Sequence, residues 1–382
     1  MKILIIHNAY KTDNIGGEDL VFLNEVNALK ESLGEEYVYY YKVENDDASS
    51  LDIILNIFYS IKHYFKIFHL VSSNEIRLVH VHNFFPLLST SIFRAAKDAG
   101  ASTVLTLHNY RLWCISGILF RDSKGVCHDC LKCRLSGVYH RCYRNSFSQS
   151  LVATIAFYTY SLLRYDRHIN RYFVLTDFQK MKVIEFGLDK DKVLVKPNFI
   201  NPIIEEINKS KEGFIYVGRL ESSKGIVHLI DVWKTLGENY KLSIVGSGPL
   251  KDFIESLKQP NIRYYGKLSN QETLTLIGNS KYLLQTSLWY ETFGLTIIEA
   301  FSAGTPVIGY KIGTRTNFII DGFNGFICNV EELRDTLIKA NEYAKYKELS
   351  ENSIHSFQQF SKQLVISKQI GYYREITNMQ IK

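Results

Sequence analysis

The sequence predicts an α/β protein made of two parallel-sheet halves. Three observations carry the prediction. Short apolar runs alternate with amphipathic stretches, a polar segment interrupts the series once, and the apolar runs end in polar or glycine-rich loops. Such alternation is the pattern of a parallel sheet with helices on both faces. A length of 382 residues accommodates two or three domains with sizeable cores.

In order, Lys2–His7 reads as a buried strand, and Leu20–Leu33 places Leu20, Leu23, Val26, Leu29 and Leu33 at helical spacing. Tyr37–Val43, Arg77–His82 and Ser102–His108 are the next strands, with a helical run, Ser89–Ala99, before the last. The long helical segment Phe147–His168 precedes the strand Arg171–Thr176, and Lys192–Lys196 closes the half. Asn198–Gly213 is polar, with Pro197 and Pro202 nearby, and marks a domain boundary near residue 200. In the second series the strands are Phe214–Val217, Lys241–Val245, Ile262–Tyr265, Tyr282–Gln285 and Pro306–Gly309. The helices are Ile226–Leu236, Leu250–Leu257, Asn270–Gly278 and Thr296–Ala303. The expectation is two Rossmann-like domains, 1–200 and 201–360, and a last helix near Ser361–Thr377. Ligands of such sheets bind outside the carboxyl ends of the strands, so two facing domains place a ligand in the cleft between them.

Composition sets the outer limits. Hydrophobic residues at 46% and charged residues at 22% exclude global disorder. A membrane-spanning helix needs about 20 mainly apolar residues. The best stretch, Leu51–Leu70, is broken by Asn56, Lys62, His63 and Lys66. The first apolar run is too short for a signal sequence, so a reducing, cytoplasmic location is expected. Ile53–Val71 sets Ile54, Ile57, Phe58, Ile61, Phe65 and Phe68 beside Lys62, His63, Lys66 and His69. That pattern fits a helix lying on the inner face of a membrane and also a core-packed helix with a wet edge. The net charge is +6, but Arg111–Arg144 alone carries seven Lys/Arg against Asp122 and Asp129. A local excess of +5 suits a phosphate-bearing ligand, an anionic membrane or nucleic acid, or a solvated loop.

Four loops carry chemistry. Gly16-Gly17-Glu18 precedes the first helix and reads as an anion cradle or as a tight turn. Gly218-Arg219-Leu220 follows a strand, with Lys224-Gly225 at the next helix start. A guanidinium fork and an ammonium there suit a diphosphate, and cations at a helix start gain nothing from its dipole. Gly246-Ser247-Gly248-Pro249 resembles half a dinucleotide fingerprint without its third glycine, which disfavours a nicotinamide dehydrogenase. The most informative stretch is Glu291-Thr-Phe293-Gly294-Leu295-Thr-Ile-Ile-Glu299. Two glutamates eight apart fall on one helical face, where carboxylates can accept sugar hydroxyls and a helix start can hold phosphate.

With Thr106-Leu107-His108-Asn109-Tyr110-Arg111, Lys196-Pro197-Asn198 and Ala303-Gly304-Thr305-Pro306-Val307 added in order, the chain resembles the retaining GT-B glycosyltransferases of family 4, or group 1. The resemblance implies a nucleoside diphosphate sugar donor bound mainly by the second domain. Arg219 and Lys224 would hold the diphosphate and stabilise the leaving group without a catalytic metal. Glu299 would bind the ribose and Glu291 the donor sugar, with backbone contacts from Phe293, Gly294 and Leu295. Gly218 and Gly246 line the donor side, and Gly16 and Gly17 approach the phosphate from the first domain. His108 would face the reacting centre, although a strand-end histidine is also an ordinary hydrogen-bonding loop residue. The acceptor, a saccharide on a polyprenyl-diphosphate lipid, would bind the first domain, to which residues 361–382 return. Bacterial O-antigen, capsule or exopolysaccharide assembly follows by family analogy.

Five of six cysteines lie between Cys114 and Cys142, in an insertion at about 111–145. Four thiolates with one C-x-x-C pair can close a tetrahedral zinc site; free thiols or an adventitious disulfide are the alternatives, and Cys133 and His128 are spare ligands. The insertion looks like that of a subgroup of the family. By that resemblance Cys114, Cys127, Cys130 and Cys142 form the set and Cys133 is extra, while Ile115 stands where the subgroup often has proline. A zinc-containing anionic-surface or nucleic-acid binder, or another GT-B enzyme such as a nucleotide-sugar epimerase, are the competing readings. The first leaves the Gly218–Gly225 and Glu291–Glu299 loops without a purpose, so no nucleic acid is expected as a partner.

Overall fold

The apolar run after Lys2 forms β1 (Ile3–Ala9), every residue of which is buried. The structure, a computed structural model, describes residues 1–9, 17–45, 49–201 and 211–378. Helix α1 (Gly17–Leu33) follows, then β2 (Val38–Glu44), α2 (Ser50–Ile57), α3 (Ile61–Ser73), β3 (Leu78–Asn83), α4 (Ser91–Asp98) and β4 (Ser102–Thr106). A short hairpin, β5 (Phe120–Arg121) with β6 (Gly125–Val126), leads into α5 (Asp129–Lys132), α6 (Ser136–Tyr139) and α7 (Phe147–Leu162). Strand β7 (Arg171–Val174), α8 (Asp177–Glu185) and β8 (Val193–Val195) complete this half. The sheet order is β2-β1-β3-β4-β7-β8, all parallel.

The second half runs β9 (Phe214–Val217), α9 (Ile226–Trp233), β10 (Leu242–Val245), α10 (Lys251–Glu255), β11 (Ile262–Tyr264), α11 (Asn270–Asn279), β12 (Tyr282–Gln285) and α12 (Leu295–Ser302). It continues through β13 (Val307–Tyr310), α13 (Arg315–Phe318), β14 (Gly325–Cys328), α14 (Leu333–Asn341), α15 (Tyr346–Phe357) and α16 (Lys362–Asn378). Its sheet, β11-β10-β9-β12-β13-β14, is parallel too.

The chain divides into two compact units. One comprises residues 1–117, 128–199 and 362–382, the other 118–127 and 200–361. The hairpin of the insertion therefore groups with the second unit, where Ser222 donates to Asp122 at 2.6 Å. In the first unit Ile3, Ile5, Phe22, Leu29, Val104 and Phe173 form the core, closed by Val365, Ile366, Tyr373 and Ile376 of α16. Each fully buried apolar side chain contributes about 1.5–3 kcal/mol. The long return of the chain adds little cost, because closure entropy grows only logarithmically with length. In the second unit Phe214, Trp233, Tyr282, Ile308, Phe326 and Leu337 lie in one core.

Three expectations are corrected. In α1 the expected stripe is only half right: Leu20 and Leu23 are exposed, whereas Asp19 and Glu25 are buried beside Val21, Phe22, Val26 and Leu29. Partners from distant segments make burial of those carboxylates possible. The apolar stretch 53–71 is two helices, not one. Ser49 caps α2 and Ser60 caps α3, each accepting a backbone N–H three residues on. β14, α14 and α15 extend the second unit beyond the last expected strand. No helix among the described residues is long and apolar enough to cross a membrane.

Candidate active site

The loop after β9 and the loop after β12 are locked together by glycine. Gly225 has φ +70°, and a Cβ there would stand 2.0 Å from the Thr286 carbonyl oxygen. Thr286 in turn donates to the Lys224 carbonyl at 3.0 Å, and the Leu288 N–H donates to that of Ser223 at 2.8 Å. Gly246, at φ +140°, brings the loop after β10 against Gly218; a Cβ there would meet the Gly218 carbonyl oxygen at 1.9 Å. Only glycine permits these two approaches. They place Lys224 and Glu291 within reach of each other, and Lys224 Nζ donates to Glu291 Oε1 at 2.7 Å. The same ammonium lies 5.1 Å from the centre of the Trp289 ring.

Glu291 is buried, and Ser287 Oγ also donates to its Oε1, at 2.5 Å. Burial pushes its carboxyl up, but the Lys224 and Arg315 charges outweigh burial and hold it below the ordinary value. Arg315, 1% exposed, frames this loop from beneath. Its Nε donates to the Tyr310 carbonyl at 3.0 Å and its Nη2 to that of Ser287 at 2.5 Å. Thr314 Oγ1 donates to the Glu291 carbonyl at 2.6 Å. Neither Thr314 nor Arg315 stands out in the sequence, since no local spacing ties them to Glu291. Arginine in a run of small polar residues looks like a surface cation.

Gly294 precedes α12, and Glu299 lies in that helix's second turn. Glu299 is half-buried, and among the described residues nothing hydrogen-bonds or pairs with its carboxylate, so desolvation pushes it up to about 7. An unpartnered carboxylate is what a pair of vicinal hydroxyls would satisfy. Phe293 points into the core, edge-on to Phe318 and Phe360, and Leu295 opens the helix. Arg219 is exposed, with Nε 3.2 Å from Glu221 Oε2.

In the first unit, Gly17 is the first residue of α1, and Gly16 lies outside the described residues. His108, 8% exposed, lines a cavity of about 30 Å³ with His82, Asn83, Thr106, Asn109 and Arg111. Behind it lies a buried polar network. His82 faces Glu25, whose other oxygen pairs with Lys196, while Gln369 and Tyr373 reach in from α16. Lys196 belongs to one of the quoted motifs; Glu25 and His82 had no sequence signal, because their partners lie far away in the chain. Glu25, His80 and His82 are, among the described residues, the one group of three such side chains with ligand atoms within 4.8 Å of one another.

No disulfide joins the described cysteines. Cys114 and Cys130 hydrogen-bond through sulfur, which with burial and the nearby Cys142 pushes the Cys130 thiol far up. Cys133 is exposed, and Cys127 follows the hairpin that groups with the other unit.

Two Rossmann-like parallel-sheet domains of this layout are the GT-B fold. Residues 199–356 match the family Glycosyl transferases group 1. A Klebsiella pneumoniae protein, "Uncharacterized 41.2 kDa protein in cps region", is 33% identical over 162 residues, 39% of this chain and 45% of that protein. D-rhamnosyltransferase WbpZ of Pseudomonas aeruginosa is 29% identical over 160 residues, 39% of this chain and 40% of that protein. The chain thus spans less than half the length of either relative. Among solved structures, Anabaena Alr3699/HepE in complex with UDP superposes with a TM-score of 0.67 at 17% identity, over 98% of this chain and 100% of that one. The lipopolysaccharide outer core galactosyltransferase WaaB superposes at 0.64 and 16% identity, over 98% and 99%.

Proposed function

We infer that the protein is a retaining glycosyltransferase that moves a sugar from a nucleoside diphosphate sugar to a saccharide acceptor in bacterial surface-polysaccharide assembly. The observation that carries this is the set in the second unit. Lys224 and Glu291 are paired on loops that two glycines bring together, and an unpartnered Glu299 lies on the following helix. All of it lies within residues 199–356, the segment that matches the group 1 family. UDP, bound by the Anabaena relative, is the kind of leaving group this set suits.

In the reaction, the bond between the anomeric carbon and the phosphate oxygen breaks. The electron pair leaves with the diphosphate, and positive charge develops on the sugar. Arg219 and Lys224 meet the departing negative charge, and Glu299 accepts from the ribose hydroxyls. The acceptor oxygen bonds to the same face of the anomeric carbon, and its proton passes to the leaving phosphate. Fixed cations aimed at developing charge are usually the largest single catalytic contribution. A thermal-shift screen of nucleotide sugars, followed by NMR of the product's anomeric configuration, tests the reading. Stabilisation by one donor and a retained configuration are expected. An inverted product, or a glycosyl adduct trapped on the protein, contradicts the front-face route.

The acceptor is assigned as a lipid-linked saccharide at the inner leaflet. Exposed Ile61 and Phe65 on α3, beside Lys62 and Lys66, support attachment there. Vesicle co-sedimentation should weaken in Phe65→Glu; equal binding contradicts the attachment. A structural zinc on Cys114, Cys127, Cys130 and Cys142 belongs to the same reading, supported by the convergence of Cys114, Cys130 and Cys142. It would order the insertion, and less than about 0.2 zinc per chain in elemental analysis contradicts it.

A further inference from the structure

We propose that Glu25, His82 and Lys196 are positioning residues for His108, holding its ring as the neutral tautomer protonated on Nε2, with the lone pair on Nδ1. The sugar substrate rests on the function proposed above; the tautomer does not.

With both rings neutral, as burial makes them, the geometry leaves one consistent arrangement of protons. His108 Nε2 lies 3.0 Å from His82 Nδ1, with the two ring planes 25° apart and their centroids 5.1 Å apart. His82 Nε2 lies 3.1 Å from Glu25 Oε1, and the Lys196 ammonium binds the other Glu25 oxygen. Glu25 Oε1 also accepts from Gln369 at 2.5 Å and faces His80 Nδ1 at 3.1 Å. An ionised carboxylate only accepts. The proton between Glu25 and His82 therefore sits on His82 Nε2, which leaves His82 Nδ1 with its lone pair. The proton between the two rings must then come from His108 Nε2.

Electrostatics agree with this assignment. Burial alone would push the Glu25 carboxyl up, but Lys196 and His82 overcome it and hold the group well below the ordinary value. Burial lowers His82 to about 3 and places His108 well below the usual histidine range, and Lys196 and the neighbouring histidines add to the effect. Among the described residues, the charged and titratable groups around this pair come from several elements. They are His7 on β1, Asp19 and Glu25 on α1, His80 on β3, Lys196 after β8 and Tyr373 on α16. None of them supplies a positive His108.

Two other readings of the cluster fail. Glu25, His80 and His82 could offer three ligands to a cation. The carboxylate is already paired with an ammonium, however, and a second cation would be repelled. A merely structural role is also a poor fit. Burying a carboxylate and an ammonium generally stabilises a fold no more than apolar residues of the same volume would. The charges accomplish something apolar residues could not, which is to specify where a histidine proton sits. Setting the wrong tautomer of a catalytic histidine, or removing an outer-shell partner, lowers rates by 10-fold to 10⁴-fold in systems where this has been measured.

Long-range ¹⁵N–¹H NMR of the full chain labelled in histidine reads the tautomer directly, with His108→Gln identifying the signal. The expected spectrum shows His108 protonated on Nε2 and bare on Nδ1, unchanged from pH 6 to 8. A proton on Nδ1, or an imidazolium at pH 7, overturns the proposal. In His82→Phe and Lys196→Met the His108 signal should move towards a mixture of tautomers. With a donor found in the screen, kcat in His82→Phe should fall on the order of 10- to 100-fold, while the donor KM and the thermal shift caused by UDP or GDP stay within twofold. An unchanged kcat overturns the proposal. Should no nucleotide bind wild type, the glycosyltransferase reading fails on its own, and the spectrum still decides the tautomer.

Discussion

The two units hold their charges in opposite ways. In the first, Glu25 and Lys196 are fully buried, and the two Glu25 oxygens are met by an ammonium, two imidazoles and an amide. In the second, Arg219 is exposed, Lys224 retains donors beyond its bond to Glu291, and the Glu299 carboxylate has no partner among the described residues. The contrast separates two tasks. A closed network fixes protons before any ligand arrives, and removing one member leaves a buried charge uncompensated. An open set leaves groups unsatisfied, lowering the stability of the empty protein, and gains when a ligand supplies the missing bonds.

Four experiments break or sharpen that contrast. The largest effect is expected from Arg315→Met. Arg315 is the fully buried cation of the second site, donating to Tyr310 and Ser287 and helping keep Glu291 ionised. Unfolding in denaturant should show a loss of about 3–5 kcal/mol. A loss under about 1 kcal/mol would mean the loop stands without it. Next, Lys224→Ala should lower turnover on the order of 10²–10³, measured as initial rates with saturating donor. A fall of less than about threefold would remove Lys224 from leaving-group stabilisation.

The third and fourth experiments use pH, and the two units should respond with opposite sign. His82 titrates near 3 when folded, below its unfolded value of about 6.5. Below about pH 6.5 the unfolded chain binds a proton that the folded chain does not, so stability falls with falling pH, by about 2 kcal/mol for this group at pH 5. Glu25 adds to the loss only below about pH 4.5, because its lowered carboxyl stabilises the fold above the unfolded value and that contribution disappears as the carboxyl protonates. Hydrogen-exchange protection factors in α1, which remove the pH dependence of the intrinsic exchange rate, should therefore fall between pH 7 and pH 5. Glu299 runs the other way. Its carboxyl is raised to about 7, so the folded form binds the extra proton and stability falls as pH rises from about 4.5 through 7. Glu299→Gln should stabilise the empty protein at pH 8 by about 1–2 kcal/mol, read as slower exchange in α12, and should reduce the gain from nucleotide. No stabilisation there would mean that Glu299 is not desolvated.

Much of this was legible in the sequence where the signal is local. The strands from β9 to β13 end within a residue or so of where the apolar runs predicted, because each run is short and bounded by polar or glycine residues. Beyond β13 the reading missed β14, α14 and α15 and resumed only at the last helix, expected near Ser361–Thr377 and found as α16 (Lys362–Asn378). β14 is four residues, Gly325–Cys328, between polar loops and too short to show a period. In α1 the helical spacing located the helix but misplaced its buried face. The stripe ranked Leu20 and Leu23 above Asp19 and Glu25, while the fold buries the two acids against His7, His82 and Lys196. Those partners lie between 12 and 171 residues away, and no window of sequence contains them. Arg315 was missed for the same reason, since its ligands are backbone carbonyls, which leave no trace in side-chain pattern.

The central claim is that the second unit holds a nucleoside diphosphate through Lys224, Arg219 and Glu299. Titration calorimetry of UDP and GDP against wild type and Glu299→Ala tests it most directly. One of the two nucleotides should bind one-to-one to wild type, and at 100 times its Kd stabilise the protein by about 2.7 kcal/mol. Glu299→Ala should bind it about 10- to 100-fold more weakly, the loss expected for hydrogen bonds to a charged group. Heat from neither nucleotide, or equal affinity in wild type and Glu299→Ala, would contradict the account.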